Sequence, residues 1–432
     1  MVANLSQKLW QAEKKGDFMT SRERVLAALN HEPVDRIPID FGGHRSSGIM
    51  AMAYARLKEY LGIRSGNIYI YDLPQQLAIV EPAVLDELGI DVIEMGRGFM
   101  TDDREWNDWV LPDGTPCKIP NYIRVEERGG DWYLLANDDR DLAVRKRGNP
   151  FMEQIHFPMA DRDFENETFD DLEKQFNYTM WTGVATPDAC FPLDESGLQK
   201  LADGARNLRN STDRAICGLF GGNLFEIPQY LFRMDNYLTY MALYPEATLR
   251  LSEKLCAVHL QKLEKWLTAV GPYIDVILFG DDFGTQACPF FSKAMLHKFY
   301  KPYQQILWKR VKELADVKIM LHSCGAIEPL LDDLIDAGLE AVNPVQISSA
   351  GMDPTLLKAK YGSRICFWGG GCDTRRILPQ STPAEVTEHV RQQVAIMRRG
   401  SGFVFQQVHN VMADVRPENI VAMFRAVNSN SV

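Results

Sequence analysis

A histidine and a cysteine two residues apart, His322 and Cys324 in the segment LHSCG, are the side chains of this chain best placed to do chemistry. Residues i and i+2 of a strand project to one face, so the imidazole and the thiol can share one ion. Cys372, in WGGGCD, is expected to supply a third ligand. The three make a set suited to Zn2+ with a fourth position left open. His409, in VHN, competes with Cys372 for the third place or orients a substrate instead. Read without a metal, the same residues are structural.

A second cluster is GDDFGTQ, with Asp281, Asp282 and Gln286. Adjacent carboxylates on a strand point to opposite sides; Asp282 is expected inward and Asp281 is expected to cap the next element. An inward Asp282 could move a proton or serve as an oxygen ligand, or it could itself be a helix cap. Arg45, beside His44, places a cation where it could meet an anionic substrate, the alternative being a surface loop. Gln286 and Asn410 are grouped with Arg45 as substrate-binding side chains. The remaining cysteines, at 117, 190, 217, 256, 288 and 366, read as core or helix-face residues, Cys256 standing on a helix beside His259. The chain has no nucleophile elbow, Walker loop or HExxH helix.

These residues fall at the ends of short apolar runs. Strand-like segments that close on Gly, Asp, Asn or His occupy 36–43, 91–96, 215–222, 276–282, 318–325, 340–346, 365–373 and 402–410. Helical periodicity fills most intervals, at 50–61, 75–88, 224–240, 247–270, 292–314, 327–337, 354–361 and 383–399. Eight strands alternating with helices is the count of a (β/α)8 TIM barrel, an α/β fold whose reacting groups come from the C-terminal strand ends. A doubly wound sheet would want GxGxxG after its first strand, and FGGHRSSG stands there. Thr20 and Glu23 have capping-box spacing for a helix that stops before Pro33. From about 97 to 163 the pattern changes to YIRVEE, WYLLAN and LAVRKR between turn-forming RGGD and DDRD, which reads as an antiparallel β meander inserted in a barrel loop. One barrel domain spanning 1–432 with that insertion is the expected organisation.

Composition narrows the function. Hydrophobic residues at 46% and charged residues at 24% are globular values. With 47 basic against 58 acidic residues the net charge is −11, so neither nucleic-acid binding nor a polybasic membrane role has electrostatic support. No apolar run approaches the roughly 18 residues of a membrane span. Segment 1–18 reads as a polar helix without signal-peptide features, and eight cysteines spread over a long chain make no disulfide scaffold. A cytoplasmic protein with reduced thiols, acting on a small molecule or a protein partner, is expected.

The segments SRERVLAALNHEPVDRIPIDFGG, GDDFGTQ, LHSCG, WGGGCDTRRILPQSTPAEV and VHNVMADVRPENIVAM together resemble the uroporphyrinogen decarboxylase superfamily, particularly its cobamide-dependent methyltransferase branch. The resemblance covers nearly the whole chain and implies a (β/α)8 barrel. The decarboxylases carry an arginine-bearing MRQAGR segment after the first strand, where this chain has FGGHRSSG with Arg45 alone. The methyltransferase branch binds zinc through a His-x-Cys pair, matched by His322 and Cys324, and a later Cys. In some coenzyme M methyltransferases that Cys lies on the final strand, near His409 and Asn410 here.

The resemblance implies O-demethylation, with the methyl group of a small methylated substrate such as an aryl methyl ether passing to the Co(I) of a cobamide (cobalamin) while zinc stabilises the leaving oxygen. Asp282 or His409 would supply its proton. The alternatives are methylcobamide:thiol methyl transfer, a uroporphyrinogen decarboxylase-like reaction, or a barrel that binds without catalysis. No D-x-H-x-x-G cobalamin signature is present, so a separate corrinoid protein is expected to carry the cobamide; a homo-oligomer is compatible with the sequence. Trp106, Trp109, Trp132 and Tyr133 of the insertion could wall an aromatic pocket or form the meander's own core.

Overall fold

Along each barrel strand the apolar side chains alternate between two layers, and that parity places the functional residues. The computed structural model describes residues 19–186 and 191–428; the polar helix expected at 1–18 and Cys190 lie outside them. Seven parallel strands pair in the order Val92–Glu94, Ala215–Gly221, Val276–Gly280, Lys318–His322, Ala341–Asn343, Cys366–Trp368 and Phe403–Val404. Ile39 closes the ring, pairing in parallel with Phe405 and accepting at its carbonyl from Asp91 N at 2.8 Å. The fold is the expected α/β barrel, with a strand or bridge inside every run foreseen.

The closing seam is short because a side chain replaces part of its ladder. The buried Asp91 carboxylate accepts from Ile39 N at 2.9 Å and from the Arg24 and Arg36 guanidinium groups at 2.6 Å each. A buried carboxylate is tolerated here because each oxygen is partnered. Val92, Ala215, Cys217, Val276, Leu278, Met320, Ala341, Cys366, Trp368 and Val404 form the inner cluster, closed at one end by Val25, Ala28 and Leu29 of helix Ser21–Leu29. That helix starts in the expected Thr20/Glu23 capping box. Ile277, Phe279, Ile319, Leu321, Val342 and Phe367 belong to the cluster that packs under the surrounding helices. Continuing the inner parity past the strands brings Asp282, His322, Cys324, Asn343 and Gln406 to the mouth.

Several helical expectations are corrected. Segment 75–88 holds a short strand, Leu77–Ala78, and a helix only from Pro82 to Leu88, because Gln76 sits at φ 54° and breaks the helical path. Segment 224–240 divides at Arg233, φ 72°, into Glu226–Phe232 and Met234–Leu243. Helix Glu195–Ser211, capped by Asp194, was not foreseen. The insertion is antiparallel as expected, a hairpin of Trp106–Val110 with Pro116–Pro120 followed by Val125–Arg128, Asp131–Leu135, Asp141–Arg145 and Glu153–Gln154. Its aromatic residues pack within and beside it: Trp109 meets Trp132 edge-on at 5.4 Å, and Trp106, which lines a small cavity with Tyr71 and Phe99, packs on Tyr69 at 4.9 Å. Among the described residues no helix is long and apolar enough to cross a membrane, and the seven described cysteines are free.

His259, on helix Pro245–Val270, is buried between Phe176 and Phe220 and its ring is hydrogen-bonded to Asn223 O at 3.1 Å. Burial holds its pKa down to about 4. The folded protein therefore resists protonating a histidine that the unfolded chain protonates near 6.5. Its contribution to stability is complete above that value and is lost as pH falls toward 4, on the order of 3 kcal/mol. The gap in unfolding free energy between the wild type and His259→Gln should change by that amount between neutral pH and about pH 4; a pH-independent gap would exclude this origin of acid sensitivity.

Candidate metal centre

The fifth strand ends in His322 and continues through Ser323 to Cys324, so both side chains face the barrel mouth. His322 Nε2 and Cys324 Sγ are 3.5 Å apart. For a tetrahedral ion with ordinary Zn–N and Zn–S bonds the N···S edge is about 3.6 Å, so this pair already has the spacing of two ligands on one metal. His409, beyond the eighth strand, completes a group whose ligand atoms all lie within 4.8 Å of one another. Its ring stands edge-on to His322, centroids 5.7 Å apart. Burial, and then His322 beside it, hold His409 down to about 4, and burial also lowers His322 despite the opposing Asp282. Both imidazoles are therefore neutral at physiological pH, the form that binds metals.

Asp282 lies alongside. Its Oδ1 accepts from Cys324 N at 2.8 Å and stands 3.5 Å from His322 Nε2. Its neighbour Asp281 points the other way, accepting from Leu224, Phe225 and Glu226 N at 2.7 to 2.9 Å. It thus holds the start of the preceding helix rather than capping the next element. Burial raises Asp281 to about 7 against those three donors. Glu226, bonded to Asn223 Nδ2 at 2.6 Å, is pushed well up by burial and by Asp282 and Asp281. Burial, with Asp282 and Glu226 near, likewise raises the Cys324 thiol. Two neutral imidazoles, a thiol and nearby carboxyl groups, converging from separate strand ends, fit a divalent ion with borderline N/S preference such as Zn2+.

Cys372 is not part of this group, whose third member is His409, the alternative the sequence offered for that place. The seventh strand stops at Trp368, and Gly369 and Gly370 follow at φ 124° and 72°. Those turns destroy the alternation that would have carried Cys372 to the mouth. Its side chain is fully buried in the apolar cluster instead. The other expected contacts also differ. Arg45 pairs with buried Asp72, Nη2 to Oδ2 2.6 Å, and stacks on Trp181 at 4.6 Å, so its charge is already neutralised. Asn410 uses its amide on Gly48 N (2.9 Å) and Gln75 Oε1 (3.1 Å) as a loop staple. Gln286 is exposed and bonds the 349–350 turn.

Residues to which the sequence reading gave no part in the centre surround it. Asn343 meets His322 Nδ1 at 2.6 Å, Ser46 Oγ stands 3.3 Å from His322 Nε2, and Gln406, His44 and Asp40 lie behind Asn343, each wholly buried. The strand-end rule that selected His322 applies equally to Asn343 and Gln406, in VNP and FQQV. Polar residues at inward strand ends were the signal available for them.

Residues 182–430 match the family model described as Uroporphyrinogen decarboxylase (URO-D). No curated protein matches the chain. Among solved structures, a methyltransferase from Methanosarcina mazei superposes with a TM-score of 0.57 over 96% of this chain and 99% of its own, at 14% identity, a likeness of fold. A GH10 endoxylanase retrieved from a sugarcane soil metagenome aligns over 55% of this chain and 85% of its own at 8% identity, with a TM-score of only 0.33.

Proposed function

This chain belongs to the uroporphyrinogen decarboxylase family, and from that premise we propose that it is a zinc-dependent methyltransferase passing the methyl group of an aryl methyl ether to the Co(I) cobamide of a separate corrinoid protein. The grouping of His322, Cys324 and His409 beside Asp282 carries the reading. With two neutral imidazoles and one thiolate, a bound Zn2+ would keep net positive charge and so draw electrons from an ether oxygen more strongly than a thiolate-rich site could. Asp282 fixes Cys324 through its main-chain N–H. The proton taken up by the departing phenolate as the methyl–oxygen bond breaks comes from Glu226, which burial and its acidic neighbours keep protonated, and Asp282 passes it on.

Two further observations support the substrate class. Trp181 and Tyr230 pack edge-on at 5.0 Å next to Arg45 and offer an aromatic ring an apolar wall. Decarboxylation of a many-carboxylate substrate would need unpaired cations there, and Arg45 is held by Asp72.

Free cob(I)alamin serves as the methyl acceptor in the direct test, with the zinc-loaded protein and a panel of aryl methyl ethers, methyl thiols and methylamines. Loss of the Co(I) absorption with an aryl ether is the expected result. If no donor methylates cobalt while methylcobalamin is consumed by a thiol, the direction is reversed and the proposal fails.

A further inference from the structure

Behind the metal-facing side of His322 runs a chain of polar side chains, Asn343, Gln406, His44 and Asp40, all with no exposed surface. Main-chain groups set the orientation of its members, and main-chain polarity leaves no choice. Asn343 Nδ2 donates to Trp368 O at 2.9 Å and to Gln406 Oε1 at 2.8 Å. That leaves Asn343 Oδ1 as the atom facing His322 Nδ1 at 2.6 Å. Gln406 Nε2 donates to Ser46 O at 3.0 Å, which turns its Oε1 toward Asn343. His44 Nδ1 accepts from Ser46 N at 3.2 Å, so its Nε2 carries the hydrogen and donates to Gln406 Oε1 at 3.0 Å, with Asp40 Oδ2 at 3.2 Å. Asp40 is fixed in turn by Trp368 Nε1 at 2.8 Å, Gly43 N at 2.9 Å and Ser47 Oγ at 3.1 Å.

The consequence reaches His322. An amide oxygen only accepts, so His322 Nδ1 must carry the hydrogen, and the Nε2 lone pair faces the space shared with Cys324 and His409. In an unconstrained histidine in water the opposite tautomer predominates. We propose that Asn343, Gln406 and His44 are positioning residues that lock His322 in its Nδ1–H tautomer and so prepare its Nε2 for a metal ion before one arrives. The purpose rests on the zinc reading given above, whereas the tautomer is a property of the metal-free protein, so the two can fail separately. In-register pairing of His322 with Asn343 on neighbouring strands makes the lock part of the barrel itself.

Metal-free protein labelled with 15N-histidine tests this, using two-bond proton–nitrogen correlations with His322 assigned from the His322→Gln variant. His322 should show the Nδ1–H pattern. Asn343→Ala should shift it toward Nε2–H and weaken Zn2+ binding, measured by chelator competition, by about 10- to 100-fold. Asn343→Asp, which keeps an acceptor oxygen, should restore the tautomer. Gln406→Met should weaken binding in the same direction by a smaller factor, and it stands in for Asn343→Ala if that variant does not fold. An Nε2–H pattern in the wild type overturns the proposal. So does an Nδ1–H pattern that survives Asn343→Ala with Zn2+ affinity changed less than twofold. An Nδ1–H pattern in a protein that binds no Zn2+ supports the lock and overturns the zinc reading.

Discussion

Replacing His409 by alanine should strip the protein of zinc, weakening the metal by more than about 100-fold, and abolish methyl transfer with it. Partners that merely orient a metal ligand are worth 10- to 100-fold, so a ligand itself is worth more. The matched substitution, Cys372→Ala, should leave zinc at one per chain and cost about 1–2 kcal/mol of stability, as expected for a fully buried apolar-packed side chain with no partner at the mouth. Metal analysis of the two purified variants, with thermal unfolding alongside, reads both outcomes. Zinc lost from Cys372→Ala and retained by His409→Ala would restore the set suggested by residue types alone and overturn the one assembled by geometry.

Asp282→Asn should keep the metal and lose the chemistry. The amide can still accept from Cys324 N, so the loop that carries the thiol stays in place. What disappears is a group able to give up a proton, and general acid catalysis is worth about 10²–10⁴-fold. The loss should depend on the leaving group: largest for an ether of an ordinary phenol, and much smaller for one bearing electron-withdrawing substituents, whose phenolate leaves without protonation. Zinc content and substrate affinity are expected to stay within a factor of a few. A uniform loss across leaving groups, or loss of the metal, would move Asp282 from proton donor to structural support or metal ligand.

The legible and illegible parts of the site divide on strand parity. Wherever a strand stays extended, alternation is local and carries the reading outward: Leu278 in the inner layer puts Asp282 at the mouth and turns Asp281 away, and Met320 does the same for His322 and Cys324. The capping box at Thr20 and Glu23 is equally local. Parity ends at the first residue of positive φ. Two glycines after Trp368, Gly369 and Gly370, take positive φ and end the alternation, and a sequence in which Cys372 keeps the expected spacing gives no notice that its side chain turns into the core. Gln76 and Arg233 break helices for the same reason, at residue types with no preference for such angles.

Charges failed for another reason. Arg45 reads as a free cation until Asp72, distant in sequence, is brought beside it. The aromatic residues of the insertion read as pocket lining or as the meander's own core until the fold places Trp132 between Trp109 and Arg145, in one buried cluster with Leu134 and Leu142. Neither partner is encoded nearby. The sequence by itself determined the barrel, the inserted meander, the His322–Cys324 pair and the inward Asp282, since each follows from periodicity or from contacts within a few residues. Only the tertiary structure gathers His409 with that pair, leaves Cys372 outside the group, and places Asn343, Gln406 and His44 behind His322. Those choices depend on strand ends as far apart as residues 44 and 409 meeting at one mouth, and closure of the ring through Ile39 and Phe405 is what brings them together.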